Sequence, residues 1–272
     1  MPLFTDMYSI DGGGSASDAA AAHETDAEAA NTVHRQAHGL VADESYPVSE
    51  HSQGAGPMTL VAELTVAAEA EWLDGWTAGP TEDQGSGLAA GAKSPDLALA
   101  DHTGKERLLS EFWADQPALL MFWRHFGCGC GVARAERLNA EYKDYLDAGL
   151  NPVIVAQGEP ARAAAYCAEH GLACPVLCDP GHVAYRAYGI GQWAVERILS
   201  AAPPVFWSHP REVGVSFQND RRAQGRPPVD DPWRAAAEFV ISPGGLVRLC
   251  YFYQYCEDFP PPRMLTTAAR LI

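Results

Sequence analysis

Residues 117–138 read PALLMFWRHFGCGCGVARAERL, and this stretch decides the fold. Pro117 to Trp123 form an unbroken apolar run of strand length, the mark of a strand covered on both faces. From Val132 onward the apolar residues fall at helical spacing. Between the two lie Arg124, His125, Phe126 and Gly127, then Cys128-Gly129-Cys130-Gly131. The chain therefore passes from a buried strand, through two cysteines, into a helix expected to start near Gly131. A strand feeding a helix in this way is the first half of a parallel βαβ unit.

The flanking sequence extends that unit. VARAERLNAEYKDYLDAG (132–149) is helical and ends at a glycine, and NPVIVAQG (151–158) is a second buried strand. EPARAAAYCAEHG (159–171) is a second helix, with Pro160 suited to its first turn. CPVLCDP (174–180) reads as a short strand and turn, VAYRAYG (183–189) as a brief helix, and AEFVIS-PGG-LVRLCYFYQY (237–255) as a β-hairpin. PPRMLTTAARLI closes the chain as a helix begun by proline. Upstream, MTLVAELTVAAEAEWLDGW (58–76) is an amphipathic helix ended by Gly79-Pro80. A linker with Gly85, Gly87, Gly91 and Ser94-Pro95 follows, then DLALAD as a strand and DHTGKE as a turn. Residues 191–236 carry Pro203-Pro204, His209-Pro210, Pro227-Pro228 and Pro232, and read as a loop-rich insertion. The class is α/β, a mixed central sheet flanked by helices.

Bulk properties narrow the function. With 47% hydrophobic residues in 272, a sizeable core is available. A net charge of −16 argues against nucleic acid and anionic membrane as partners, since both call for a basic face. There is no apolar run of membrane-spanning length. MPLFTDMYSIDGGGSASD lacks the basic and apolar regions of a secretory signal, which makes a cytoplasmic location the expectation. Residues 1–57 hold nine carboxylates against Arg35 alone, with GGGSAS and an alanine run, and read as a disordered acidic tail. Its histidines, His23, His34, His38 and His51, are scattered and read as solvated. Met58 is a candidate start.

Seven cysteines in a reducing compartment point to thiol chemistry, metal binding or burial rather than a disulfide framework. At the strand–helix turn, Cys128 meets unpaired N–H groups and the positive end of a helix dipole, both of which favour a thiolate. A free thiol, with a pKa of about 8.5, is mostly protonated at neutral pH. Arg124, and a charged or hydrogen-bonding His125, would lower that value. Cys130 is the nearest partner; a Cys128–Cys130 disulfide closes a very small ring and should be easily reduced. Cys167, Cys174, Cys178, Cys250 and Cys256 are the other candidates. Cys256, just past the last strand, could reach across, whereas Cys167 and Cys250 sit in patterns that bury them. A four-thiolate metal site from Cys128/Cys130 and Cys174/Cys178 meets the objection that Cys-x-Cys is tight for zinc and that the pairs lie on different elements. Trp72, Trp76, Trp113 and Trp123 either line a groove beside the thiol or pack the N-terminal helix onto the domain.

FWRHFGCGC, QGEPARAAAYCAEHG, CPVLCDPGHVAYRAYGIG and AEFVISPGGLVRL, in that order, resemble the peroxiredoxin-like branch of the alkyl hydroperoxide reductase/thiol-specific antioxidant superfamily. The resemblance covers about residues 91–272 and is most specific at Asp179, Pro180, Tyr188 and Gly189. It implies a thioredoxin-like fold and places Cys128 at the peroxidatic position. Departures accompany it. Met121 and His125 stand where peroxiredoxins have proline and threonine. The family's arginine before the hairpin falls at Ala236, with Arg234 displaced by two. Gly131 occupies the second cysteine's place in Cys-x-x-Cys, and Cys130 precedes it.

The expected layout is a tail (1–57), an N-terminal helix and linker (58–90), and a thioredoxin-fold domain (91–272). The expected activity is thiol-dependent reduction of a peroxide or disulfide. Cys128 would be nucleophile, Cys130 the resolving thiol, and Arg124 and His125 the thiolate's neighbours. A small thiol or thioredoxin-type reductant would complete the cycle, with neither cofactor nor metal and with a homodimer as a further option. A catalytically silent thioredoxin-fold binding module is the alternative.

Overall fold

The computed structural model describes residues 56–198, 208–226 and 228–271. The proposed acidic tail lies outside them but for Gly56 and Pro57. Among the described residues, seven strands form one mixed sheet in the order β2-β1-β5-β4-β3-β6-β7. They are β1 (Ala98–Asp101), β2 (Glu106–Leu108), β3 (Ala118–Phe122), β4 (Asn151–Ala156), β5 (Val176–Cys178), β6 (Ala237–Ile241) and β7 (Val247–Phe252). The helices are α1 (Pro57–Ala78), α2 (Gly129–Asp147), α3 (Pro160–His170), α4 (Val183–Ala187), α5 (Val195–Ile198), α6 (Pro210–Ala223) and α7 (Pro262–Arg270).

Strand β3 is central. It runs parallel to β4 and antiparallel to β6, and all five of its residues are buried. Side chains alternate across a strand, so the run divides between two cores. Leu119 and Met121 join a cluster with Ala135, Leu138 and Tyr145 of α2, Ala163 and Tyr166 of α3, and Leu265 and Ala269 of α7. Phe122 points the other way, onto Tyr185, Tyr188 and Phe239 with ring centroids 5.2, 4.8 and 5.7 Å distant. This is a thioredoxin fold with an N-terminal helical extension.

Four elements differ from the expectation. Helix α2 begins at Gly129, two residues before Gly131, because Cys128 takes the cap position with extended dihedrals. Strand β2 and the 3₁₀ turn Leu109–Phe112 carry too few residues to show a period. The insertion read as loop contains α6, whose Pro210 occupies the first turn and whose Arg221 and Arg222 lie in the last. Helix α6 packs on α1. The Trp76 indole N–H donates to the Pro210 carbonyl at 2.9 Å, the Gln218 amide donates to the Glu69 carbonyl at 2.7 Å, and Arg222 pairs with Glu69. A Cβ on Gly214 would stand 2.7 Å from both Leu73 and Trp76, so glycine sets the closeness of the two helices. Trp76 also stacks on Trp72 and Trp233. These tryptophans therefore pack the helix rather than line a groove.

The Asp-Pro-Gly-His turn is fixed by Asp179. Its buried carboxylate accepts the backbone N–H groups of Val183, Ala184 and Tyr185 at 2.8, 2.7 and 3.2 Å. Asp179→Ala leaves those donors unpartnered and is expected to cost about 1–2 kcal/mol. Urea unfolding is the measurement; an unchanged midpoint would show that water replaces the carboxylate.

Candidate active site

The loop from β3 to α2 carries Arg124 to Gly127. Phe126 pins it, stacked on Tyr166 with centroids 4.6 Å apart and lying under the Arg162 guanidinium. Gly158 makes room for that ring, since a Cβ there would stand 2.5 Å from Phe126. The Cys128 N–H donates to the His125 carbonyl at 3.1 Å, and the Gly131 N–H to the Cys128 carbonyl at 3.0 Å. This tight turn places the Cys128 sulfur at the head of a long helix, where unpaired N–H groups and the helix dipole favour negative charge.

Cys128 and Cys130 are joined by a disulfide with their Cα atoms 5.2 Å apart, and are 6% and 5% exposed. Arg124 is buried with them and held from several sides. Its Nε donates to the Arg234 carbonyl at 3.2 Å, its Nη2 to the Pro232 carbonyl, and its guanidinium lies 5.3 Å from the Trp193 ring. Nη1 is left to the sulfurs, 3.5 Å from Cys128 Sγ and 2.9 Å from Cys256 Sγ. An arginine so anchored presents a fixed guanidinium donor to a developing thiolate.

Two more arginines come down from α6 and the turn after it. Arg221 donates to the Gly127 carbonyl at 3.2 Å, and burial, with Arg226 and Arg124 nearby, pulls its pKa down to about 10. A Cβ on Gly129, the residue between the cysteines, would stand 2.6 Å from Arg226 Nη1, so that guanidinium lies directly over the Cys-Gly-Cys step.

His125 corrects an expectation. It is buried, and burial, then the charges of Arg124, Arg221 and Arg162, hold its pKa well below the ordinary imidazole value. The ring is neutral at pH 7, so it contributes no charge to the thiolate; what it supplies to Cys128 is a backbone carbonyl. The charge comes from Arg124. Arg234, displaced from the family position, donates to the Ile190 carbonyl at 3.1 Å and pairs with Asp231 at 3.2 Å.

The other cysteines separate cleanly. Cys167, Cys174 and Cys178 belong to the core on the α2–α3 side of the sheet, where burial pushes their thiols up to about 11, about 12 and about 12. Cys174 and Cys178 do not gather with Cys128 and Cys130 into one ligand cluster among the described residues. Cys256, in contrast, joins them: the sulfurs of Cys128, Cys130 and Cys256 lie within 4.8 Å of one another. The local sequence leaves Cys256 one candidate among several, because the sheet, not the local pattern, delivers it. Among the described residues no helix is long and apolar enough to cross a membrane.

The family model described as AhpC/TSA matches residues 90–220. The thioredoxin-like protein AAED1, chloroplastic, of Arabidopsis thaliana is 36% identical over 106 residues, which is 38% of this chain and 42% of that protein. The thiol-disulfide oxidoreductase ResA of Geobacillus thermodenitrificans is 31% identical over 107 residues, 38% of this chain and 59% of that protein. The chain thus spans about half the length of the curated relatives it matches. A crystal structure of peroxidoxin BcpB from Mycobacterium tuberculosis superposes with a TM-score of 0.49 at 15% identity, covering 68% of this chain and 98% of that one.

Proposed function

We propose that the protein is a thiol-dependent oxidoreductase that reduces a peroxide or a disulfide through Cys128, a reading supported by the match of residues 90–220 to the AhpC/TSA family model. The observation that carries the reading is the Cys128–Cys130 pair at the head of α2, with Arg124 Nη1 3.5 Å from Cys128 Sγ.

In the reduced protein the Cys128 thiolate is the nucleophile, stabilised by the Arg124 N–H and the helix N-terminus. With a disulfide substrate, its sulfur bonds to one substrate sulfur and the other leaves as a thiolate. Cys130 then attacks Cys128 Sγ, forming the Cys128–Cys130 bond and releasing the second substrate thiolate. With a peroxide, the oxygen–oxygen bond breaks as Cys128 becomes a sulfenic acid and an alcohol or water leaves. Cys130 condenses with the sulfenic acid and water departs. Either way two electrons pass from the pair to the substrate, and an external thiol or dithiol returns them.

Cys130→Ser provides the test. With dithiodipyridine as probe, the variant is expected to accumulate a stable pyridyl adduct on Cys128 ahead of every other cysteine, located by peptide mass spectrometry. An adduct distributed evenly over the remaining thiols would remove Cys128 as nucleophile.

A further inference from the structure

The two-cysteine cycle leaves the third converging sulfur unused. Cys256 comes from the turn after β7, far from the strand–helix junction in sequence. Asp258 braces that turn: its Oδ1 accepts from the Tyr251 hydroxyl at 2.7 Å and its Oδ2 from the Gln254 N–H at 2.8 Å. The brace holds Cys256 Sγ within 4.8 Å of both active-site sulfurs and 2.9 Å from the Arg124 Nη1 that also serves Cys128.

Accessibility gives this placement a purpose. Cys128 and Cys130 are 6% and 5% exposed, with Arg226 over the glycine between them, whereas Cys256 is half-buried. A reductant with the bulk of a protein must bring its own sulfur into line with the disulfide it attacks. Of the three cysteines Cys256 is the least enclosed, and it is the one an incoming sulfur meets first. Three sulfurs at this spacing also make a soft-metal ligand set. Here, however, the Arg124 guanidinium donates to two of them, with Arg221 and Arg226 close by. That field favours anionic sulfur and opposes a cation.

We propose that Cys256 is the outward thiol of a three-cysteine relay. Cys256 sulfur attacks Cys130 Sγ; the Cys130–Cys256 bond forms as the Cys128–Cys130 bond breaks, and Cys128 leaves as a thiolate beside Arg124 and the head of α2. One disulfide replaces another, and the proton of the Cys256 thiol passes to water. A dithiol reductant then attacks Cys256 Sγ, freeing Cys130, and its second thiol closes on the first to release Cys256. The dithiol supplies two electrons and two protons. Departure of Cys128 rather than Cys130 follows from its neighbours, because the better-stabilised thiolate leaves faster. The relay rests on the reading of Cys128 and Cys130 as the redox pair. Burial raises the Cys256 thiol's pKa, against the pull of Arg124 and, more weakly, Arg221, with Glu257 adding to the rise. The exchange is therefore expected to quicken as pH rises through the thiol range.

The test uses the full chain, reduced and then oxidised with one equivalent of hydrogen peroxide at about pH 6.5 and about pH 8.5, the first well below an ordinary thiol's midpoint and the second at it. Timed samples are quenched in acid, alkylated and mapped by fragmentation mass spectrometry. The expected result is a Cys128–Cys130 disulfide first and a Cys130–Cys256 disulfide after it, reached several-fold sooner at the higher pH. Cys256→Ser should stop at the first bond and lose about tenfold in turnover with a thioredoxin-type protein dithiol, and less with dithiothreitol, which is small enough to enter. A Cys128–Cys130 disulfide that turns over with no Cys130–Cys256 species at either pH would overturn the relay and leave the two-cysteine reading intact. Wild-type turnover by Cys128→Ser would overturn both.

Discussion

Replacing Cys128 by serine should lower reducing turnover, with either hydrogen peroxide or a disulfide probe, by about three orders of magnitude or more. A serine hydroxyl at the same place stays protonated at neutral pH, and the helix N-terminus and Arg124 cannot lower its pKa far enough to alter that. It also cannot form the sulfur–sulfur bond through which electrons leave. The loss should come without unfolding. Cys128 caps α2 with its backbone alone, making no side-chain hydrogen bond to the helix, and the serine hydroxyl is itself a good cap. Thermal melts of the two proteins, both reduced, should therefore overlay within a few degrees. A variant that keeps most of its activity would move the nucleophile elsewhere in the triad, and alkylation of single-cysteine variants would then find it.

The second large effect concerns stability. Arg134 of α2 and Glu238 of β6 are 2% and 1% exposed, with Nε 2.9 Å from Oε1. The same carboxylate oxygen accepts the Tyr253 hydroxyl at 2.5 Å, and Arg134 also reaches Glu141 at 3.6 Å. The pair ties the first turns of α2 to the centre of the sheet. Although burial alone would lower Arg134's pKa, Glu238 more than reverses that and holds it well above the ordinary arginine value. Glu238→Gln keeps the shape and removes the charge, stranding a guanidinium away from water. Removing one partner of such a pair costs about 3–5 kcal/mol. Arg134→Met with Glu238→Leu should cost clearly less than the sum of the single changes, because two buried charges vanish together. Urea titrations of the reduced protein decide it, and additive losses would mean that the two groups act independently.

Much of this arrangement was legible in the sequence. The apolar runs at 117–123 and 151–158, the helical periods that follow them, and the hairpin around Pro243-Gly244-Gly245 all correspond to observed elements, because burial on both faces and turn chemistry leave local marks. Helix α6 was obscured by the prolines flanking it, although Pro210, Glu212, Arg221 and Gly225 are ordinary start and stop signals. Cys128 and Cys130 could be singled out because their position relative to a strand and a helix is local information. The neutrality of His125 could not, since it depends on how much water and how many arginines reach the ring. Nor could the convergence of Cys256, which follows from β6 and β7 pairing alongside β3. Arg226 over Gly129 is a tertiary approach whose single local trace is the missing side chain.

The contact between α1 and α6 bears on where this molecule can be divided. The family match opens after α1 and closes at residue 220, inside α6. A fragment with those borders would end before Arg226 and remove the helix against which α6 rests. It would also strip β6 and β7 from the sheet, leaving β3 as a bare apolar edge. The unit suited to dissection, grafting or isotope labelling is therefore residues 56–271 taken whole. Its first helix, remote from the sulfurs in sequence, is part of the scaffold that suspends two arginines above them.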